Sequence, residues 1–413
     1  MAGRARTASD LPAAVPAAPA AAAPPAEPPV GGPGGQGVEA APPVVAAAPP
    51  VVAAAPTVVA AAPTVASVAP AGVPAVDAPA RLPVVAPPKD RDPLWFAPVF
   101  VLAPARSYSS VVTTMIGQHP DLYGFPELSL LRTQTVRQLL TDPPNWRGIP
   151  AMVKQAGLFR ALAQVNEAEQ TPESIARAVR WLRCRPEWNT LDVYDHLLGA
   201  VAPRIGIEKS PETVSRLAYM ERLATAYPRA RFVHLVRHPL TTQRSMVLAW
   251  KDRNFWDIEP EMFGQFCLGV WYHQHRRIME FCARFPPDRV WRIRSEDALN
   301  APQKTFAPFC RWLGIDGSRA ALAAMAHPER DPFASRGPQG AAGGNDPAFL
   351  RDPSRRRATL PRSLELTREF VVDPWSAVAA MELAHQFGYG AEPPAGPVAA
   401  ALARIQPSDD AGE

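Results

Sequence analysis

Hydrophobic positions first gather at Val99 to Ala103, a short unbroken apolar run of the kind that makes a strand buried on both faces. Pro104, Ala105 and Arg106 form a tight turn. Ser107, Ser109 and Ser110 then open an apolar-periodic segment that reads as a helix. The alternation recurs downstream. Arg204 to Ile207 and Arg231 to Val236 read as strands, followed by helices over about Glu212 to Tyr227 and around Ser245. A further strand, Arg289 to Arg294, precedes Ser295-Glu296-Asp297 and a helical stretch from Pro302 to Leu313. Helical periodicity also covers Glu127 to Leu140, closed by Pro143-Pro144, then two segments between Thr171 and Ala200, about Pro260 to Phe285, and Pro374 to Phe387. Thr171, with Pro172 at the first turn, is a helix-start signal. Glycine, proline and arginine dominate from His327 to Pro361, where a long loop is expected. Strands alternating with helices predict a three-layer α/β fold with a mainly parallel sheet.

Residues 1–90 follow neither period. A seven-residue unit recurs there (AAPPVVA, AAPPVVA, AAPTVVA, AAPTVAS), with prolines at Pro42, Pro49, Pro56 and Pro63. Regularly spaced proline blocks both helices and sheet ladders, so a disordered, semi-extended arm is expected. An ordered domain over residues 91–392 and a flexible tail over 393–413 complete the expected organisation. The nearly uncharged stretch from Ala40 to Val76 is no membrane span, because every repeat carries proline and alanine stands in place of leucine. The start, MAGRARTASDLP, is basic but lacks a continuous apolar stretch, so no secretory leader is expected.

Composition narrows the function classes. With 413 residues and 47% hydrophobic content, the chain can bury a full core. A net charge of +4 and a pI near 9 permit an anionic ligand. No Lys/Arg run interleaves with aromatics, which argues against nucleic acid. Cys184, Cys267, Cys282 and Cys310 are scattered without CxxC spacing. They read as reduced core residues of a cytoplasmic protein, with neither a metal site nor a disulfide framework.

The chemistry lies at the strand ends, where open parallel sheets bind ligands. Three polar clusters stand there: Arg106-Ser107-Tyr108-Ser109-Ser110, Glu208-Lys209-Ser210, and Arg237 with Ser245 two turns into the next helix. A turn feeding a hydroxyl-rich helix start presents free N–H groups and a partial positive charge, to which Arg106 adds a full one. Each cluster alone has an ordinary reading: a serine N-cap, a surface salt bridge, a strand-end arginine. Together they suit a ligand with two separated anionic groups.

At this point the chain resembles the sulfotransferases that use 3′-phosphoadenosine 5′-phosphosulfate (PAPS). Their phosphosulfate loop has the form PRSGTT, and here it reads PARSYSS. Their 3′-phosphate site pairs Arg with Ser eight residues on, and here the frame is RFVHLVRHPLTTQRS. IEKSPETVSRLAYMERLATAYPRARFVHLVRHP and WRIRSEDALNAPQKTFAPFCRWLGI are similar to family segments, so the resemblance spans about Pro98 to Tyr389. It implies a three-layer αβα fold of P-loop type and sulfuryl transfer from PAPS to a hydroxyl on a small molecule, carbohydrate, lipid, peptide tyrosine or carrier-bound chain. It implies that Arg106, Ser107, Tyr108, Ser109 and Ser110 hold the 5′-phosphosulfate, and that Arg237 and Ser245 hold the 3′-phosphate. Glu127, in PELSLL, matches the base of the tyrosylprotein and several bacterial branches; a carboxylate there takes the acceptor hydroxyl's proton. Lys209 matches a lysine that neutralises charge developing on the transferring group, with Arg106 beside it.

The match has departures. Tyr108 stands where the family has glycine, a costly exchange if the position needs a positive φ, and Ala105 replaces proline. His238 replaces the commoner Asp, and His119, before Pro120, reads as a helix-end cap. The acceptor pocket is expected between Leu128 and Gly199 and in the loop from Ser335 to Arg357, with Trp146 and Trp181 as possible walls.

Two other classes compete. A P-loop kinase needs GxxxxGK[ST] and a strand-end Asp for magnesium; the loop lacks the first, and the strand ends in Val236-Arg237. A non-catalytic binding or scaffold protein on the same fold, with a proline-rich arm, is the second. The arm yields its own forecast. Deleting residues 1–88 leaves the melting temperature and nucleotide affinity unchanged, since such a composition has no core to contribute. A large loss of thermal stability in the truncated chain would show the arm packing on the domain.

Overall fold

β1 (Val99–Leu102) is buried along its whole length, and its side chains point alternately into two cores. Phe100 and Leu102 join one cluster; Val99, Val101 and Ala103 join the other. A strand with two dry faces demands helices on both sides of its sheet. The computed structural model of the chain, which describes residues 97–141, 151–250, 258–259, 262–354, 357–360 and 374–390, provides them. The arm, the tail, Pro143-Pro144, Trp146, Pro260 and Pro361 lie outside the described residues.

After β1 come α1 (Ser109–Gly117), β2 (Leu122–Gly124) and α2 (Val136–Thr141). Helices α3 (Ala151–Glu167), α4 (Pro172–Arg183) and α5 (Thr190–Val201) precede β3 (Ile205–Glu208), α6 (Leu217–Ala226) and β4 (Arg231–Val236). The chain continues through α7 (Pro239–Trp250), α8 (Phe263–Cys282), β5 (Val290–Arg294), α9 (Ser295–Asn300) and α10 (Pro302–Leu313). Among the described residues, α11 (Arg319–Ala324), α12 (Pro347–Arg351) and α13 (Pro374–Gln386) are the last elements.

All five strands run parallel in the order β2-β3-β1-β4-β5, so β1 is central, between β3 and β4. Its register against β4 pairs Val99 with Arg231 and Leu102 with His234. The two neighbours therefore end beside β1 and bring their carboxyl-terminal loops together. One face carries α3 to α6 and α8, and the other carries α1 and α10, which is the three-layer arrangement expected. A third cluster joins α7, α8 and α13 beside Val236.

The pattern reading differs from the structure in instructive places. Glu127 to Ser129 is not helical; a single 3-10 turn, Leu130–Arg132, comes before α2. Tertiary partners take the backbone donors that a helix would have used. Glu127 N–H donates to the Gly344 carbonyl (2.8 Å), Leu128 N–H to Glu208 (3.3 Å) and Ser129 N–H to Ser210 Oγ (3.0 Å). Helix α3 falls where no element is expected. Residues 155–163 of it are buried without a break, so no polar stripe marks its period. The Glu212–Tyr227 helix is broken at Arg216, whose extended backbone separates a 3-10 turn from α6. The loop after His327 holds one turn and the short α12.

The Thr171 cap is present as a capping box with Ser174. All four cysteines are free; Cys267 and Cys310 are buried and Cys282 half-buried, but Cys184 is exposed at the end of α4, against the core reading given to all four. Among the described residues, no helix is long and apolar enough to cross a membrane.

Two buried histidines join the sheet to α8. His234 Nε2 and His275 Nδ1 share a hydrogen bond of 2.9 Å. Burial depresses both, His275 to about 3, with Arg292 adding to the effect. The unfolded chain takes up protons at its histidines below about pH 6.5 while these two stay neutral when folded. Their contribution to stability is complete above that pH and is lost as pH falls toward 3, at about 1.4 kcal/mol per pH unit per group. The wild-type advantage in melting temperature over a His275→Asn variant therefore shrinks between pH 7 and pH 5. A gap that widens on acidification would refute the neutral pair.

Candidate active site

The ends of β1, β3 and β4 converge on the start of α1. The loop after β1 reaches that helix through two non-glycine residues with positive φ, Arg106 (65°) and Tyr108 (57°). Tyr108 is the N-cap, yet no side chain caps the helix, so its first N–H groups face outward. Ser107 and Ser110 are buried, and Ser295 Oγ bridges the Ser107 carbonyl (2.6 Å) and the Val236 carbonyl (2.9 Å). That hydroxyl stitches the β1 loop to the end of β4.

The second strand end supplies a buried cation. Lys209 is 2% exposed, and its ammonium donates to Ser110 Oγ at 3.2 Å and to the Glu127 carboxylate. Residues far apart in sequence, one from each of three segments, meet here. The Glu127 carboxyl keeps a quarter of its surface open. Burial raises its pKa, and the Lys209 charge opposes that rise without cancelling it. Glu208 points into the apolar side of the sheet, where burial lifts it to about 7 beside Ser210 and a cavity also lined by Phe100, Leu191 and Tyr194.

The third strand end supplies Arg237, 8% exposed. Its Nη1 donates to the Arg106 carbonyl (2.6 Å), and its guanidinium carbon sits 3.8 Å from the centre of the Tyr108 ring. The left-handed backbone of Tyr108 costs roughly 1–2 kcal/mol; a desolvated cation–π contact contributes about 2. The stacking therefore offsets the strain that a glycine would have avoided. Arg106 Nε donates to Ser245 Oγ at 3.1 Å, and its Nη1 pairs with Asp346. Direct contacts thus link Glu127, Lys209, Ser110, Asp346, Arg106, Arg237, Tyr108 and Ser245 into one connected group, with Ser245 bonded to Arg106.

Other expectations fall outside it. His119 is buried away from the cleft; its Nδ1 accepts the Asp121 N–H and its Nε2 donates to the Asp316 carbonyl. His238 packs edge-on against Tyr389, its N–H donates to Glu296, and burial with Arg237 and Arg294 nearby lowers it to about 4. Trp181 meets Trp188 edge-on and carries the Arg185 guanidinium over its ring in a separate cluster. Among the described residues, no group of three or more His, Cys, Asp and Glu converges as metal ligands.

Sequence reasoning missed Asp346. Its N–H donates to Ser110 Oγ (3.0 Å), one carboxylate oxygen caps α12 and the other meets Arg106. The Asp346-Pro347 pair, an N-cap before a first-turn proline, was the available signal. The loop bearing it is held by Arg160, fully buried, whose Nη1 donates to the Ser335 and Gly343 carbonyls (both 2.8 Å). Gly157 permits the close fit: a Cβ there would lie 2.1 Å from the Glu127 carbonyl oxygen.

Comparison with known proteins bears on the family and the fold. The model of the sulfotransferase family matches residues 98–319, more than half of the chain, and the chain belongs to that family. In fold it is similar to the sulfotransferase domain from the curacin biosynthetic pathway, with a TM-score of 0.57 and 22% identity over 71% of this chain and 98% of that one. It is also similar to the sulfotransferase domain of the Synechococcus PCC 7002 olefin synthase, with a TM-score of 0.52 and 24% identity over 71% and 96%. No curated protein matches significantly.

The Arg106–Asp346 pair generates a forecast about anions. Asp346 pairs with Arg106 Nη1, a donor that an anion would otherwise use. Asp346→Asn keeps the helix cap, because asparagine caps as well as aspartate. It removes a partly exposed ion pair worth about 0.2–1 kcal/mol, so inorganic pyrophosphate should bind about 1.4- to 5-fold more tightly by calorimetry. Weaker binding would mean that Asp346 orients Arg106 for the anion.

Proposed function

We propose that the chain transfers a sulfuryl group from PAPS to an acceptor hydroxyl, with Glu127 as general base. The observation that carries this reading is the contact of Lys209 with both Glu127 and Ser110. It sets a quarter-open carboxylate one ammonium away from the hydroxyl-rich start of α1. PAPS supplies an activated sulfuryl group on a good leaving phosphate. The fit is supported by two buried polar atoms without hydrogen-bond partners at the site, Ser107 Oγ and Arg237 Nε.

In this reading Arg106, the N–H groups of Ser107 to Ser110 and their hydroxyls hold the 5′-phosphosulfate, and Arg237 and Ser245 take the 3′-phosphate. Glu127 accepts the acceptor's proton, and Lys209 and Arg106 offset negative charge where the bond to sulfur breaks. Lys209 also restrains the base: the ammonium favours the ionised carboxylate that burial would otherwise protonate. The acceptor hydroxyl reaches Glu127 through the quarter of its side chain that stays open. An arginine at the end of β4, in place of a magnesium-binding carboxylate, supports anion binding without a metal. The domain boundaries at residues 91 and 392 and a cytoplasmic location are part of the same proposal.

Labelled PAPS with a panel of hydroxyl acceptors tests the reading; binding of adenosine 3′,5′-bisphosphate without transfer to any acceptor would favour a non-catalytic binding protein. Glu127→Gln should lower kcat by about 10²–10⁴-fold and leave nucleotide affinity unchanged. Because the raised pKa of Glu127 must be passed before it can act as base, wild-type kcat should rise with pH through a value above the ordinary carboxylate range. Near-normal turnover in the glutamine variant would remove Glu127 from the mechanism.

A further inference from the structure

Tyr108 holds a backbone conformation suited to glycine, and its ring lies flat enough on Arg237 to bring the guanidinium carbon within 3.8 Å of its centre. Other contacts fix the same arginine. Trp271 Nε1 donates to its carbonyl (3.0 Å), and its own Nη1 donates to the Arg106 carbonyl (2.6 Å). Its Nε, however, is buried and has no hydrogen-bond partner. A guanidinium is planar and carries its donors only at the edge. With one face covered by the ring and Nη1 committed to a carbonyl, the donors left for a ligand lie along the Nε side. That edge suits two parallel bonds to one phosphate.

We propose that Tyr108 is a specificity-determining positioning residue: it holds Arg237 edge-on to a terminal phosphate, so that the chain selects a nucleoside 3′,5′-bisphosphate over the 5′-monophosphate. The inference rests on the assignment of Arg237 to the 3′-phosphate and adds the residue that orients it. An aromatic face serves this task better than a carboxylate. It attracts the cation and excludes water from one side, yet does not neutralise the charge that the phosphate needs. Among the described residues Arg237 has no carboxylate ion-pair partner, which leaves the ring as its main lateral support.

Calorimetry on the full chain separates the possibilities, using adenosine 3′,5′-bisphosphate and adenosine 5′-monophosphate as probes. The quantity read is the ratio of their Kd values within one protein, which cancels differences in folding between variants. Tyr108→Leu keeps bulk but removes the π face, and should reduce the ratio about tenfold. Tyr108→Phe keeps the face and should preserve the ratio. An unchanged ratio in Tyr108→Leu, with both nucleotides weakened alike, would reduce Tyr108 to loop support and overturn the proposal. A phenylalanine variant that loses as much as leucine would overturn it equally. A wild-type ratio near one would instead sink the 3′-phosphate assignment itself, a failure visible before any variant is made.

Discussion

A nearly inaccessible ammonium at the end of β3 constrains the whole cleft. Transfer of an ion from water to a protein interior costs several kcal/mol, and only close partners offset it. Lys209 has two, Ser110 at the start of α1 and Glu127 in the segment after β2. To satisfy it, β3 must lie beside β1 and the Glu127 segment must fold back over the sheet edge. The strand order β2-β3-β1-β4-β5 achieves the first. The second comes at the expense of a helix, because Glu127 to Ser129 give their N–H groups to Gly344, Glu208 and Ser210. The geometry that brings Glu127 to Lys209 is thus the same geometry that denies it a helix.

That trade explains how much was legible in the sequence. Strands with two buried faces announce themselves as apolar runs, and Arg231 to Val236 is found with the expected boundaries. The helices with one wet face were legible too, and Thr171 marked its own cap. Helix α3 was not, because burial all round erases the period that reading depends on. Glu127 to Ser129 was misread for a different reason: local propensity favours a helix there, and contacts 80 or so residues away in sequence override it. Asp346 escaped because its meaning depends on Arg106, 240 positions earlier, and no local pattern encodes that meeting.

Tyr108 shows the limits of matching a motif residue by residue. A glycine position filled by tyrosine looks like a damaged loop when only the loop is considered. In three dimensions the backbone keeps the glycine-like φ of 57°, and the ring finds a cation to cover. Strain and stacking are of similar size, so neither can be judged alone. A sequence holds both residues, Tyr108 and Arg237, but not their juxtaposition, which follows from the pairing of β1 with β4.

The loop from Asp331 to Asp346 ties these parts into one device. Arg160 fixes its backbone through the carbonyls of Pro332, Ser335 and Gly343, and Gly344 presents a further carbonyl to the N–H of Glu127. Asp346 at its end touches Arg106 by its side chain and Ser110 by its backbone. The segment that holds the Glu127 backbone is therefore the segment whose carboxylate pairs with Arg106. The Asp346–Arg106 pair and the Gly344–Glu127 contact stand only two residues apart along this loop. Between them runs backbone whose Gly343 carbonyl is held by the fully buried Arg160. Arg106 after β1 and Glu127 after β2, which lie on different segments, are thus tied through one short stretch of chain that neither segment's own sequence describes.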